Sequence, residues 1–555
     1  MLRTSALLVA YLWMASAASI SRSAPPDAPL VGHWKLTGDA RDSSGQENHG
    51  RNHGVTFDET AATFNGVDGY IEVPHAKSLS LGTGDFTLAV WVHTDEKLKD
   101  VLGDILSKFD AESNTGLNFG IMNAVGATSA QSNYRHLYFG IDRDSKPELV
   151  DCGRPGNNKM IWALTAFDGH LYAGTWEPDE GDAGHVYRYE GTDVWTDLGS
   201  PDVCNTVSAL GEHDGKLYAG TSFYSGQGSA QPTSPNKNPG GKVFRYDGEQ
   251  GWVDCGKIGD VYTVTGLVTF NGDLYATTCD SYGCPSPKEA CYRYDGDQKW
   301  TFVGSAGGRL GAFAVHNGDL YATVFSNDHG FARYDGRENW LSLGVPPETG
   351  QTYSAVIYRG DVCLGTWPTG MVYRYADPKQ FISMGRLGAE KEVMAMAVHN
   401  GKLYGGTLPL GEVYRYDDGE KWINLGQIDT TPDVMYRRVW SMAVYDGKLY
   451  AGTLPSGHVF SIEAGKCVTN DRALEPGWRH IAAIKSNGLL TLYVDGKKVA
   501  QSTSFDASDF NLANDKPLRI GFGEHAHFNG KMRDLRIYSK GLTTAELNEV
   551  MSADR

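Results

Sequence analysis

One phrase recurs seven times in this chain. It reads FDGHLYAGT at 167–175, HDGKLYAGT at 213–221, FNGDLYATT at 270–278, HNGDLYATV at 316–324, YRGDVCLGT at 358–366, HNGKLYGGT at 399–407 and YDGKLYAGT at 445–453. The gaps between the turn glycines Gly169, Gly215, Gly272, Gly318, Gly360, Gly401 and Gly447 are 46, 57, 46, 42, 41 and 46 residues. A second phrase of the type VYRYDG follows each copy. In six of the seven a third follows, such as WTDLG (195–199), WVDCG (252–256), WLSLG (340–344) or WINLG (422–426). Asn-Gly and Asp-Gly between apolar runs mark tight hairpins, because both turn residues need positive φ. Each repeat therefore encodes four short antiparallel strands. The 68 glycines, 29 tyrosines and 13 tryptophans of the 555 residues suit many short strands joined by tight turns.

Four strands repeated seven times at this period are the signature of a β-propeller. The phrase resembles kelch-type repeats without their double glycine. The seventh copy ends after VFSIEAGKC with no Trp-x-x-Leu-Gly phrase, whereas LVDCG (149–153) precedes the first copy. Residues 149–153 are therefore expected to supply the outer strand of the last blade, so that the start of the array closes its end.

The flanks are not repeats and complete one another. The pieces are HWKL, DSSGQENHG, FNGVDGYI and DFTLAVW on the N-terminal side, and GWRHIA, LYVDG and DLRIY before a short helix on the C-terminal side. Together they resemble the laminin-G-like, concanavalin-A-like jelly roll. The expected fold is all-β: an antiparallel β-sandwich interrupted by a seven-bladed β-propeller. The expected divisions are a signal peptide at 1–17, a Pro-rich leader at 18–29, jelly roll at 30–142 and 467–553, and the propeller insertion at 143–466. The signal reading rests on Arg3, the apolar run 5–14 and the small residues 15–17. It implies a secreted chain, extracellular or periplasmic. No apolar run is long enough for a membrane helix. Acidic residues outnumber basic ones by 67 to 50, a formal charge of −17, which disfavours nucleic acid as a partner.

Secretion permits disulfides among the eight cysteines. Cys279, Cys284 and Cys291 read as one local bridge, with buried free thiols as the alternative. The jelly-roll resemblance also implies a structural calcium, with Asp42, Asn48 and Asp534 as ligands. The alternative is that Asp42 and Asn48 cap their own turns. His525 and His527 read as an exposed loop pair rather than metal ligands.

No catalytic motif is present: neither Glu-x-Asp-x-x-Glu, the sialidase box, Gly-x-Ser-x-Gly nor His-Glu-x-x-His occurs. The function expected is non-catalytic recognition of a glycan or an extracellular protein. The rivals are a polysaccharide-active enzyme with a carboxylate pair in the propeller, and a structural envelope or matrix component. Candidate ligand residues follow the second strand or lie in the loops linking blades: Trp176, Phe223, Tyr224, Tyr262, Tyr282, Arg309, Phe325, Tyr353, Trp367 and Arg438. Aromatic faces beside polar groups suit sugar rings. Trp176, before a long acidic loop, is expected to be exposed, and Trp367, before a short one, to pack. The arginines of the third strands, Arg188, Arg245, Arg293, Arg333, Arg374 and Arg415, are expected to pair with carboxylates of the blades.

Overall fold

A computed structural model describes residues 29–123, 130–279, 289–326, 329–376 and 379–553. The signal and leader readings, apart from residue 29, lie outside these residues, as do Tyr282 and Cys284.

Two antiparallel sheets draw strands from both ends of the chain. In one, the order is Thr56–Phe57, Ala62–Asn65, Asn529–Tyr538, Phe86–Thr94, Gly477–Ser486, Leu489–Val494 and Lys497–Gln501, with Leu30–Trp34 also on Asn529–Tyr538. In the other it is Arg51–His53, Tyr70–Val73, Leu518–Ile520, Gly103–Asp110, Thr115–Met122, His136–Arg143 and Lys466–Asn470. Alternate residues of both sheets, among them Phe64, Ile71, Phe86, Leu88, Phe119, Phe139, Ile481 and Ile537, form one buried core. Phe86 and Phe119 each meet Phe139 edge-on.

Between Arg143 and Lys466 the chain forms seven four-stranded units. The first holds Met160–Phe167, His170–Trp176, Val186–Gly191 and Val194–Asp197. The opening strands of the next five are Thr206–His213, Thr263–Phe270, Arg309–His316, Gln351–Tyr358 and Glu392–His399. The seventh has Arg438–Tyr445, Lys448–Leu454 and Val459–Glu463 from its own stretch, and Glu148–Asp151 as its outer strand. The opening strand of each unit packs against that of the next, and Met160–Phe167 packs against Arg438–Tyr445.

The recurring phrases have physical causes. Residues before the turn glycines, including Asp168, Asn400 and even Arg359, have φ between 44° and 53°. The glycine of LYAGT gives room to the next unit. A Cβ on Gly220 would meet Val264, one on Gly406 would meet Val439, and one on Gly452 would lie 2.5 Å from Ile161 of the first unit. Where the outer strand carries a tryptophan, it ties its unit to the one before. The indole N–H of Trp252 donates to the Leu198 carbonyl at 3.1 Å, Trp300 to Cys255 at 2.9 Å and Trp422 to Met384 at 2.8 Å. Trp195 makes the same bond to Cys152 at 2.8 Å, just beyond the strand borrowed by the seventh unit. The third-strand arginines pair with nearby carboxylates: Arg188 with Glu190, Arg245 with Asp247, Arg293 with Asp295, Arg333 with Asp319, Arg374 with Asp361, and Arg415 with Asp144 and Asp417.

The X-Gly turns all lie at one end of the ring, and that end rests on the sandwich. Gly169 N–H donates to the Asp471 carbonyl, Asn271 to Leu98, Gly318 to Lys99 and Gly360 to His525. The Asn400 side chain donates to the Ile141 carbonyl. The opposite end, built from the linking loops and the loops between second and third strands, is free of the sandwich.

Several expectations are corrected here. Among the described residues there is no disulfide, and Cys291 is a buried free thiol. It sits on a strand whose partner is Thr277, so the backbone pairing directs it into the core. His525 and His527 are not an exposed loop pair. His525 is buried against the Tyr138 ring at 4.7 Å, and His527 stacks on Phe522 at 3.9 Å, because the sandwich and the ring close over this segment.

The calcium reading meets residues that are otherwise engaged. The Asp42 carboxylate accepts from the backbone N–H of His33, Ser44 and Asn48 and from the Ser44 hydroxyl, all within 2.9 Å. Asn48 spans to the Val31 carbonyl and Ser78. Asp534 lies 2.7 Å from both His33 and the Arg536 guanidinium. Among the described residues no His, Cys, Asp or Glu cluster suits a metal. These donors fit a capped turn and an ion pair, not a cation cage.

Candidate binding site at the free mouth of the ring

The first residue of each opening strand lies at the free end: Met160, Thr206, Thr263, Arg309, Gln351, Glu392 and Arg438. Each pairs with the last residue of the second strand, respectively Trp176, Ser222, Cys279, Phe325, Trp367, Leu408 and Leu454. These residues, far apart in sequence, meet around the mouth.

Arg309 lies over the Phe325 ring, 4.8 Å from its centroid, and Phe325 packs on Tyr353 at 4.7 Å. Across from them Arg438 is buried, 3.5 Å from Glu392 and 5.3 Å from the Trp440 ring. Arg438 also donates to the Ser229 hydroxyl at 2.7 Å and the Gly228 carbonyl at 3.1 Å. That contact straps the loop after the second unit's second strand across to the seventh unit. Glu392 is 1% exposed; its carboxylate stands 3.5 Å from Arg438 and beside the Tyr353 hydroxyl, and neither oxygen makes a well-aligned hydrogen bond. Burial works against the charge on Arg438, but Glu392, Tyr224 and Tyr353 together more than offset it and hold the guanidinium above its ordinary range. Burial, reinforced by Glu392, holds the Tyr353 hydroxyl well above its ordinary range, so it remains a donor. Trp162 closes the floor, 4.9 Å from both Tyr224 and Trp440.

Of the residues singled out from the sequence, Tyr224, Arg309, Phe325, Tyr353 and Arg438 come together here. Phe223 and Tyr262 are half-buried neighbours at the rim, joined by the Phe223 N–H to the Tyr262 carbonyl at 2.9 Å. The expectations for the two tryptophans are reversed. Trp176 is fully buried, with its indole N–H on the Tyr224 carbonyl at 3.2 Å, because the strap lies over it: a Cβ on Gly226 would touch its ring at 3.0 Å. Trp367 is 38% exposed, since no comparable loop covers it. Glu392, Gln351, Trp162, Trp440 and Ser229 escaped the sequence reading. The alignment of the repeats contained a signal for Glu392, which stands at the same position as Arg309 and Arg438.

Buried carboxyls elsewhere bear on catalysis. Burial raises Asp104 and Asp471 to about 7 and Glu212 to about 8. All three lie where the ring meets the sandwich. Asp104 is satisfied by the Tyr138 hydroxyl and the N–H groups of His525 and Ala526. The cavity beside it holds about 10 Å³, one water and no sugar. In the same region burial holds His136 and His525 neutral, down to about 3, and His399 to about 4.

These groups set a pH dependence. The carboxyls bind protons more tightly in the folded chain, so their contribution is complete at low pH and is lost as pH rises through 7 to 8. The histidines contribute fully above pH 6.5 and lose their contribution as pH falls. The two oppose each other below pH 6.5; above it the three carboxyls outweigh Lys402 and Lys108, whose amines burial lowers to about 7 and about 8 and which act the opposite way. Melting temperature should fall from pH 6.5 to 8, and Asp471→Asn should flatten the fall. A rise over that window would refute the assignment.

No curated protein sequence matches this chain. Its C-terminal part does match a family profile, that of the laminin-G-3 family, Concanavalin A-like lectin/glucanases superfamily. The match spans residues 421–548. It starts in the sixth four-stranded unit and runs through the C-terminal strands of both sandwich sheets. Among solved structures, Staphylococcus aureus virginiamycin B lyase with quinupristin is similar at 11% identity and a TM-score of 0.42, over 57% of this chain and 99% of the lyase. The WD40 β-propeller domain of Doa1 is similar at 11% identity and a TM-score of 0.37, over 57% and 97%. An auxiliary nutrient binding protein from Bacteroides ovatus is similar at 10% identity and a TM-score of 0.33, over 65% and 97%.

Proposed function

We propose that this is a secreted, non-catalytic recognition protein that binds a glycan in the mouth of the ring. In this reading a laminin-G-like jelly roll, 30–142 and 467–553, carries a seven-bladed, kelch-like β-propeller at 143–466 as an insertion. The jelly roll holds the turn end of the propeller and leaves the mouth to the ligand.

The observation that carries the reading is Glu392. Its carboxylate is buried, its ion pair with Arg438 is long at 3.5 Å, and its oxygens lack well-aligned hydrogen bonds, a costly state unless a further donor reaches it. Sugar hydroxyls supply such donors in pairs. The neighbouring guanidiniums and the Tyr353 and Phe325 rings offer the donors and the apolar surface that a pyranose uses. A glycoside hydrolase needs two carboxyls about 5–10 Å apart across the bond. At this mouth Glu392 faces Arg438, and the carboxyls with strongly raised pKa lie at the other end of the ring. The apolar run at 5–14 supports secretion.

Binding of the mature protein to a glycan array, followed by titration of the strongest glycan, tests this. Glu392→Gln keeps the shape and removes the charge. It should weaken binding about 10- to 100-fold, the range for a lost hydrogen bond to a charged group. No reducing ends should appear during incubation. Unchanged affinity would remove the mouth as the site, and hydrolysis lost in Glu392→Gln would replace the reading with an enzyme.

A further inference from the structure

We infer that the glycan taken by the mouth carries a carboxylate, and that Arg309 is the residue that reads it. This rests on the mouth being a glycan site and names the chemistry of its ligand.

Arg309 is placed unlike the third-strand arginines and Arg438, which all have a carboxylate partner. Each of the six third-strand arginines has a carboxylate within 3.1 Å. Arg438 has Glu392 and the strap. Among the described residues no ion pair involves Arg309, and its Nε is buried without a hydrogen-bond partner. Glu289 acts on it through space, after Cys279, Tyr353 and Tyr224, but forms no ion pair with it. Stacking on Phe325 fixes the guanidinium plane, so its fork of N–H donors is presented rather than free to rotate. A planar, preoriented fork matches the two oxygens of a carboxylate.

Local charge points the same way. Among the described residues, two guanidiniums, Arg309 and Arg438, stand at the mouth against the buried carboxylate of Glu392, with Glu289 acting on Arg309 without an ion pair. In a chain with a net charge of −17, such a confined positive centre attracts an anion that the remaining surface repels. The division of labour follows. Glu392 accepts from hydroxyls, Arg309 binds the carboxylate, and the half-buried Tyr353 and Phe325 rings lie beside the sugar. A neutral glycan would leave Arg309 with no ion-pair partner among the described residues, in a partly dehydrated place. The ligand class is an acidic saccharide, a uronate or sialate.

The experiment uses an array of uronate- and sialate-bearing glycans, each with its carboxyl-reduced counterpart, and the parent protein beside Arg309→Gln and Arg309→Lys. The parent should bind acidic members at least about tenfold more tightly than their reduced forms, as expected where a charge-assisted bidentate bond is lost. That preference should weaken with added salt. Arg309→Gln should bring the acidic members down to the reduced level. Arg309→Lys keeps the charge without the fork and should retain only part of the preference; it also serves if the Gln variant does not fold. Equal binding of acidic and reduced members would overturn this inference and leave the glycan reading standing. Binding of neither would overturn both. A preference that survives Arg309→Gln would show that another group reads the carboxylate.

Discussion

Replacing Trp176 with alanine should cost about 3–5 kcal/mol of stability, whereas the same change at Trp367 should cost well under half of that. Both tryptophans end the second strand of their unit and follow the same Gly-Thr pair. Trp176 is enclosed by Met160, Trp162, Trp440, Leu454 and Tyr224, and its indole N–H is bonded to the Tyr224 carbonyl. Alanine would leave a cavity beneath the strap, while the Tyr224 carbonyl would keep its bond from Asn205 at 2.8 Å. The strap in turn holds Arg438 through Ser229 and Gly228, so Trp176→Ala should also weaken ligand binding at the mouth. Trp367 already meets water, and its removal uncovers little. Urea denaturation of the two variants beside the parent decides the matter. Comparable losses would mean that the strap does not cover Trp176 in solution.

The second large effect is expected at the junction of ring and sandwich. Lys402 and Asp142 form an ion pair with side chains that are 1% and 0% exposed. Asp142 also accepts from the N–H groups of Arg143 and Ser145. Lys402→Met removes the cation and strands a buried carboxylate, which costs about 3–5 kcal/mol. Adding Asp142→Asn removes the stranded charge while keeping an acceptor for the two N–H groups, so the double variant should recover most of the loss. Chemical denaturation at pH 6, below the value of about 7 to which burial lowers Lys402, measures both. A loss below about 1 kcal/mol in Lys402→Met would show that water reaches the pair.

Lys402 illustrates what the repeats hide. It follows an X-Gly turn, as Lys216 and Lys448 do, and nothing local separates the three. Lys216 is exposed and Lys448 is half-buried, whereas Lys402 is enclosed because its turn lies over the His136–Arg143 strand. The same holds for Cys291, which reads as one end of a loop bridge beside Cys284. Its strand pairing turns it into the core, and that orientation is not encoded in cysteine spacing. Asp42 is different. Its Asp-Ser-Ser-Gly setting is a local hydrogen-bonding motif, and the turn-capping alternative follows from those residues alone. Among the ligand candidates, Arg309 and Arg438 stood out because they occupy linking loops. Glu392 was passed over because one carboxylate in a linking loop looks like any solvated acid.

The sequence alone determined whatever is settled within one unit. The Asn-Gly and Asp-Gly turns set the hairpins, because their left-handed backbone selects those residues. The Trp-x-x-Leu-Gly phrase set the outer strand, because its indole always meets the carbonyl of the unit before. Its absence from the seventh repeat pointed to 149–153 as the missing strand, and Glu148–Asp151 pairs there. Tertiary structure decided what depends on seven units meeting at once. Residues at one repeat position, tens to hundreds of residues apart, converge only when the first unit packs on the seventh. Whether such a residue faces water, a strap or another charge depends on loops of differing length in other units. The mouth, with Glu392 beside Arg438 and Trp176 sealed below, is therefore a property of the packed units together and of no single repeat.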